Sequence, residues 1–188
     1  MNVFTEELTK LFIRPKNKVK IGFVIPKLEP YSSVMASTRI RVYDVINAFK
    51  NDKKYFLEIY KPAFNYNLII FQKYFDKKAY LLAKKLKQNK SKIILDLNVN
   101  YFEKRTKKIR KTQYNDILKF SKLCDAIIVS SPFLFNYIKR LSLNKYIFLI
   151  EESIHQKYFK NWNFGLAKAS GKDFKRLNIS NIKPLKIF

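Results

Sequence analysis

The chain has 188 residues, 47% of them hydrophobic, which suits one ordinary domain with a real core and excludes a disordered polycation. Lys and Arg number 39 against 14 Asp and Glu, and the resulting net charge of +25 creates a field that attracts nucleic acid, anionic lipid or acidic polymers. No apolar stretch nears the roughly 20 residues of a spanning helix, "MNVFTEELTK" lacks the apolar block of a secretory signal, and one cysteine allows no internal disulfide, so a cytoplasmic protein is expected.

Residues 1–18 read as an arm. "VKIGFVIP" (19–26) is the first strand, and the loop 27–36 carries Pro30, Ser32 and Ser33. A helix is expected over about 37–50, with Ser37 as its N-cap and Val42, Val45, Ile46 and Phe49 as one apolar stripe. "YFLEIY" (55–60) and "NLIIFQ" (67–72) are the next strands. An amphipathic helix follows over 76–90, with Ala79, Leu82, Ala83 and Leu86 inward. "KIILDLN" (92–98) is a strand, 99–111 a basic connection and 112–123 a helix. "DAIIVS" (125–130) is the fifth strand, and Cys124 just before it reads as a buried, inert thiol. Ser131 and Pro132 give a strong helix start, with Leu134, Tyr137, Ile138 and Leu141 inward. "YIFLIE" (146–151) is the sixth strand.

These strands are unbroken apolar runs, as parallel strands covered on both faces require. The expected fold is therefore α/β: a doubly wound, Rossmann-like parallel sheet of about six strands, with helices on both faces. Ligands of such sheets bind beyond the carboxyl ends of the strands. That rule selects Ser32, Ser33, Ser37, Arg39, Gln72, Lys73, Asp96, Asn98, Ser131 and Glu152 as candidates. With three glycines and neither G-x-G-x-x-G nor G-x-x-x-x-G-K-[ST], a phosphate-cradling glycine loop is not available. One His, His155, and one Cys, far apart, argue against zinc, and a Ser-His-Asp site lacks its G-x-S-x-G turn.

Arg39 and Arg41 fall in the first turns after the first strand. Ideal helix geometry sets them roughly 200° apart, so they face different ways. Arg41 is expected on the polar side, in a surface ion pair with Asp44 at i+3. Arg39 is expected nearer the crevice, touching an anionic ligand group.

The order of pieces resembles the N-terminal, acceptor-side half of GT-B-type glycosyltransferases, the class related to group 1 and family 4. Four segments carry the resemblance: "KIGFVIP" followed by "ASTRIRVYDVINAF", then "NLIIFQKYFDKKAYLLAKKLKQNKSKIILDLN", "LCDAIIVSSPFLFNYIKR" and "YIFLIEESIHQKYF". Relatives with paired glycines after the first strand differ from "KLEPYSSVMAS" here, and the consecutive aspartates some carry after the fourth strand are "LDLNVNYF". The resemblance implies a Rossmann-like acceptor-side domain over 19–160, and a linker over 161–188 that resembles the start of a donor-binding half, as in a truncated gene product. It implies a transferase that uses a nucleotide sugar as donor substrate and no other cofactor or metal. The acceptor is a sugar or lipid-linked molecule, and a separate donor-binding half is a partner. In that frame the 27–39 loop contacts donor phosphates or acceptor, and Asp96 or Asn98 hydrogen-bonds acceptor hydroxyls. Glu152 lies near the hinge, and Asp96 and Glu152 are the catalytic candidates.

A second reading is a basic binding module without catalysis. "EKRTKKIRKTQ" (103–113) holds six Lys or Arg between 104 and 111, a pattern suited to an anionic membrane surface and so to a peripheral place on the inner face of the membrane. A solvated charged loop explains the same residues. A/T-rich codons encode the abundant Lys, Asn, Ile, Phe and Tyr, so compositional drift competes with function as the source of the charge. The aromatics fall within apolar runs rather than among basic clusters, so no specific nucleic-acid partner is expected.

Overall fold

The computed structural model describes residues 17–28, 30, 35–103 and 111–152. These belong to the first of two compact units, Met1–Ser153 and Ile154–Phe188. The arm at 1–16, Ser32, Ser33, His155, most of the basic run at 104–110 and the expected linker at 161–188 lie outside the described residues.

Six parallel strands form one sheet: β1 (Val19–Val24), β2 (Tyr55–Ile59), β3 (Leu68–Gln72), β4 (Lys92–Leu97), β5 (Ala126–Val129) and β6 (Ile147–Leu149), in the order β2-β1-β3-β4-β5-β6. The expected α/β, Rossmann-like class is what the chain adopts. The helical segment α1 follows β1 and has three parts, Ala36–Thr38, Arg39–Tyr43 and Asp44–Ala48. Helix α2 is Lys77–Gln88, α3 is Lys111–Leu123 and α4 is Pro132–Leu141.

The helices divide unequally between the two faces. Ile69, Phe71, Ile93, Leu95, Leu97, Ile127 and Val129 point to the larger core, where Ala79, Ala83 and Leu86 of α2, Ile117 and Phe120 of α3, and Leu134 and Ile138 of α4 meet them. The opposite face holds a small cluster of Phe23, Ile25 and Val42, packed by Val45 and Ile46 of α1. This division follows from chain direction. The chain moves one way from β1 to β2, over the α1 face. It moves the other way from β2 through β6, over the larger core, so all five connections share one hand.

The β2–β3 connection is not a helix. Residues 60–67 cross β1 as coil, and Tyr60, Phe64 and Tyr66 supply the side chains a helix would bring. Gly22 makes the crossing fit. A Cβ there would stand 3.0 Å from Ile69 Cδ1 and from two ring atoms of Tyr66. The Tyr66 hydroxyl donates to Glu58 Oε1 (3.0 Å) and accepts from the Lys61 amide (3.0 Å), and the buried Ser91 hydroxyl donates to the Tyr66 carbonyl (2.8 Å).

Local signals place two of the helix starts. Asp76 caps α2 by accepting from the Ala79 amide (2.8 Å), and Ser131 caps α4 by accepting from the Leu134 amide (3.3 Å), with Pro132 in its first turn. Two expectations fail. Met35, not Ser37, precedes α1, with no side-chain cap; the Ser37 hydroxyl instead accepts from Lys73, the residue that follows β3. Leu141 is exposed, since the chain leaves α4 through Ser142 in a left-handed conformation (φ 49°) before the last turn can reach the core.

Candidate functional site

The strand order reverses between β1 and β3, and the site lies beyond their carboxyl ends. Three side-chain pairs fasten α1 to the ends of β3 and β4. Lys73 Nζ donates to Ser37 Oγ. Thr38 Oγ1 donates to Gln72 Oε1 (3.0 Å), with both residues buried. Arg41 Nε donates to both oxygens of Asp96 (2.9 and 3.1 Å), Nη2 donates to Asp96 Oδ1, and Nη1 donates to the Ile150 carbonyl (3.1 Å).

Arg41 is thus not a surface residue paired with Asp44. The Arg41 and Asp96 side chains are 7% and 5% exposed. The physical reason is a change of helix type. Residues Arg39–Tyr43 form a π-helical turn, closed by the Asp44 amide donating to the Arg39 carbonyl five residues back. Such turns recur at functional sites. The wider turn departs from the rotation expected of an ideal helix and carries Arg41 onto the sheet, where it ties α1, β4 and the end of β6 together. Arg39 begins this turn and is half-buried.

Asp96 neighbours Gln72 across the β3–β4 ladder. Burial pushes the Asp96 carboxyl up from the usual carboxylate range, against the pull of Arg41. Its oxygens accept three hydrogen bonds from Arg41, which fix the carboxylate at the end of β4. Lys73 adopts φ 51°, a left-handed conformation costly for a residue with a Cβ. Burial lowers the Lys73 ammonium from its ordinary value, while Glu152 and Asp96 work the other way. Strain and partial burial at one lysine in a crevice are features of functional positions.

Beside this frame, Asn98 Nδ2 donates to Glu152 Oε1 (3.1 Å). The buried Gln72 Nε2, Asn98 Oδ1 and Asn100 Nδ2 make no hydrogen bond among the described residues. A cavity of about 440 Å³ opens at the crevice, lined by Pro26, Lys73, Tyr74, Asp76 and the first turn of α3. Ser131 stands apart, with its hydroxyl capping α4.

The sequence reading selected Ser37, Gln72, Lys73, Asp96, Asn98 and Glu152 by strand position, and these gather here. Thr38 and Arg41 were missed as members; their partners lie 34 and 55 residues away, so no local spacing marks them. Among the described residues no three His, Cys, Asp or Glu side chains gather as a metal site needs, and no helix is long and apolar enough to cross a membrane. Comparison with known proteins gave no matching family model, curated protein or solved structure.

Proposed function

We propose that this domain is the acceptor-side half of a GT-B-type, sugar-nucleotide-dependent glycosyltransferase. One observation carries the reading. Three of the four segments that resemble that class converge on a single crevice: "ASTRIR" brings Ser37, Thr38 and Arg41, "FQK" and "LDLN" bring Gln72, Lys73, Asp96 and Asn98, and "LIEE" brings Glu152. The crevice lies where open parallel sheets take their ligands.

The roles divide by burial. Arg41 and Asp96 fix the geometry. Asn98 and Glu152, at the open end, hold acceptor hydroxyls, and Glu152 replaces Asp96 as the carboxylate nearest the chemistry. Lys73 faces the donor phosphates presented by a second half. Transfer requires both reactants held together, so this half by itself binds acceptor without turnover.

The test is saccharide titration followed by NMR of the 188-residue chain. Neutral sugars are expected to move the signals of Asn98, Glu152 and their neighbours, and Glu152→Ala to weaken binding about fivefold or more, the loss of one charged hydrogen bond. Lys73→Gly removes the strained side chain and is expected to keep the fold. Absence of any saccharide response at these residues, or turnover of a UDP- or GDP-sugar by this chain alone, overturns the proposal.

A further inference from the structure

The face of the sheet that carries α1 is only half covered by described residues. Alpha-helical cover ends near β3, while β4, β5 and β6 present Ile94, Ile128 and Phe148 on the same side. A pocket of about 200 Å³ lies in the angle between α1 and this open sheet. Its floor is Phe23, Ile70 and Ile128, its wall Ile40 and Val45 from α1, and its lip Ile150. Apolar surface continues past the lip, where Phe148 is 51% and Ile150 52% exposed. A dry apolar cavity of about 150 Å³ holds a benzene ring, so this one takes a short run of carbons.

One end of the pocket is polar. Arg41 and Asp96 line it as a closed pair, and Glu151 and Glu152 stand beside them. In a chain of net charge +25 the rim at this end carries three carboxylates and one lining cation, Arg41, with the Lys73 ammonium close enough to act on Asp96 and Glu152. The excess of carboxylate in the pocket lining favours a neutral, hydroxyl-bearing group there over a phosphate. The hydroxyl-binding pair Asn98–Glu152 shares this rim through Glu152.

We infer that the pocket holds an alkyl or prenyl chain of the acceptor, whose neutral, hydroxyl-bearing head lies at Asn98 and Glu152. The acceptor is then an amphiphile rather than a free sugar. The head rests on the function proposed above; the chain rests on the pocket alone.

The test uses the full chain with glucose and with hexyl, heptyl and octyl glucosides below micelle formation, read by NMR of the Ile and Val methyl groups. Each methylene is expected to tighten binding by up to about fourfold, with shifts at Val45, Ile70 and Ile128. Ile150→Asp, at an exposed lip position that leaves the core intact, is expected to flatten this dependence while glucose binding persists. Octyl glucoside carrying a photoreactive group at the chain end gives a second readout, expected to label Val45, Ile128 or Ile150. Equal affinity across the series with no shift at these methyls overturns the inference, as when the chain's own residues or a second copy fill the pocket; a concentration-dependent dimer then identifies the second copy. Glucose binding at Asn98–Glu152 without chain dependence keeps the glycosyltransferase reading and removes the amphiphile. Equal binding of an octyl chain with a zwitterionic head keeps the apolar occupant and removes the glycosyltransferase reading.

Discussion

Asp96 and Arg41 show how a buried ion pair constrains a site. Each ion costs several kcal/mol to desolvate, and the pair recovers this only through close, multiple hydrogen bonds. Asp96→Ala leaves the Arg41 guanidinium buried without its carboxylate and is expected to destabilise the fold by about 3–5 kcal/mol. Arg41→Met with Asp96→Leu removes both charges and is expected to recover most of that loss, while ligand affinity stays low because α1 is no longer positioned. Urea unfolding of Arg41→Met, Asp96→Leu and the double variant, read as a mutant cycle beside Asp96→Ala, checks this. An Asp96→Ala protein as stable as the parent would mean the pair contributes nothing. The position of Asp96 at a strand end was legible in the sequence. Its partner was not: Arg41 lies 55 residues away in the chain, and the π turn that carries it to Asp96 has no signature in the local spacing.

At the level of elements, legibility tracks how local the deciding interaction is. The α2 stripe of Ala79, Leu82, Ala83 and Leu86 and the Ser131–Pro132 start of α4 depend on neighbours within one or two turns, and both could be read directly. The strand order could not. Whether β3 joins β1 or β2 depends on a coil crossing at Gly22, and no periodicity announces it. Gly22→Ala is expected to cost about 1–3 kcal/mol by overpacking against the Tyr66 ring and Ile69. Thermal unfolding tests this, and Tyr66→Ala should lessen the penalty of Gly22→Ala, since the clash partner is then gone. Cys124 belongs to the legible group: it is buried at the end of α3, and burial pushes its thiol up to about 12, the inert state expected.

The whole molecule is governed by its charge. Self-repulsion at +25 works against compactness, so raising the salt concentration from about 50 to 500 mM is expected to raise the melting temperature by screening it. A flat response would mean that the lysines are already well separated or paired. Acid sensitivity has an identifiable contributor. Burial raises the Asp125 carboxyl, but the hydrogen bond from the Ile93 amide and the Lys87 and Lys92 ammonium groups outweigh it and hold the group below its ordinary value. A depressed folded value gives stability that is present above the unfolded value near 3.8 and lost as pH falls through the lower folded one. Asp125→Asn is therefore expected to lower stability at neutral pH and to narrow its gap to the parent as pH falls below about 4.

The unequal cores carry a dynamic consequence. Helix α1 is held by its own buried Val42 against Phe23 and Ile25 and by three polar pairs, whereas α2, α3 and α4 share one continuous core. Opening free energies follow buried apolar contact, so amide protons of α1 are expected to exchange with deuterium well before those of α2. Since α1 supplies Ser37, Thr38 and Arg41, a ligand that needs these residues in place is expected to bind only the closed form, with its affinity diminished by the fraction of time α1 spends open. Binding and amide protection are then two readings of one equilibrium. A ligand that occupies the crevice should slow exchange in α1 while leaving α2, on the far side of the sheet, at its own rate.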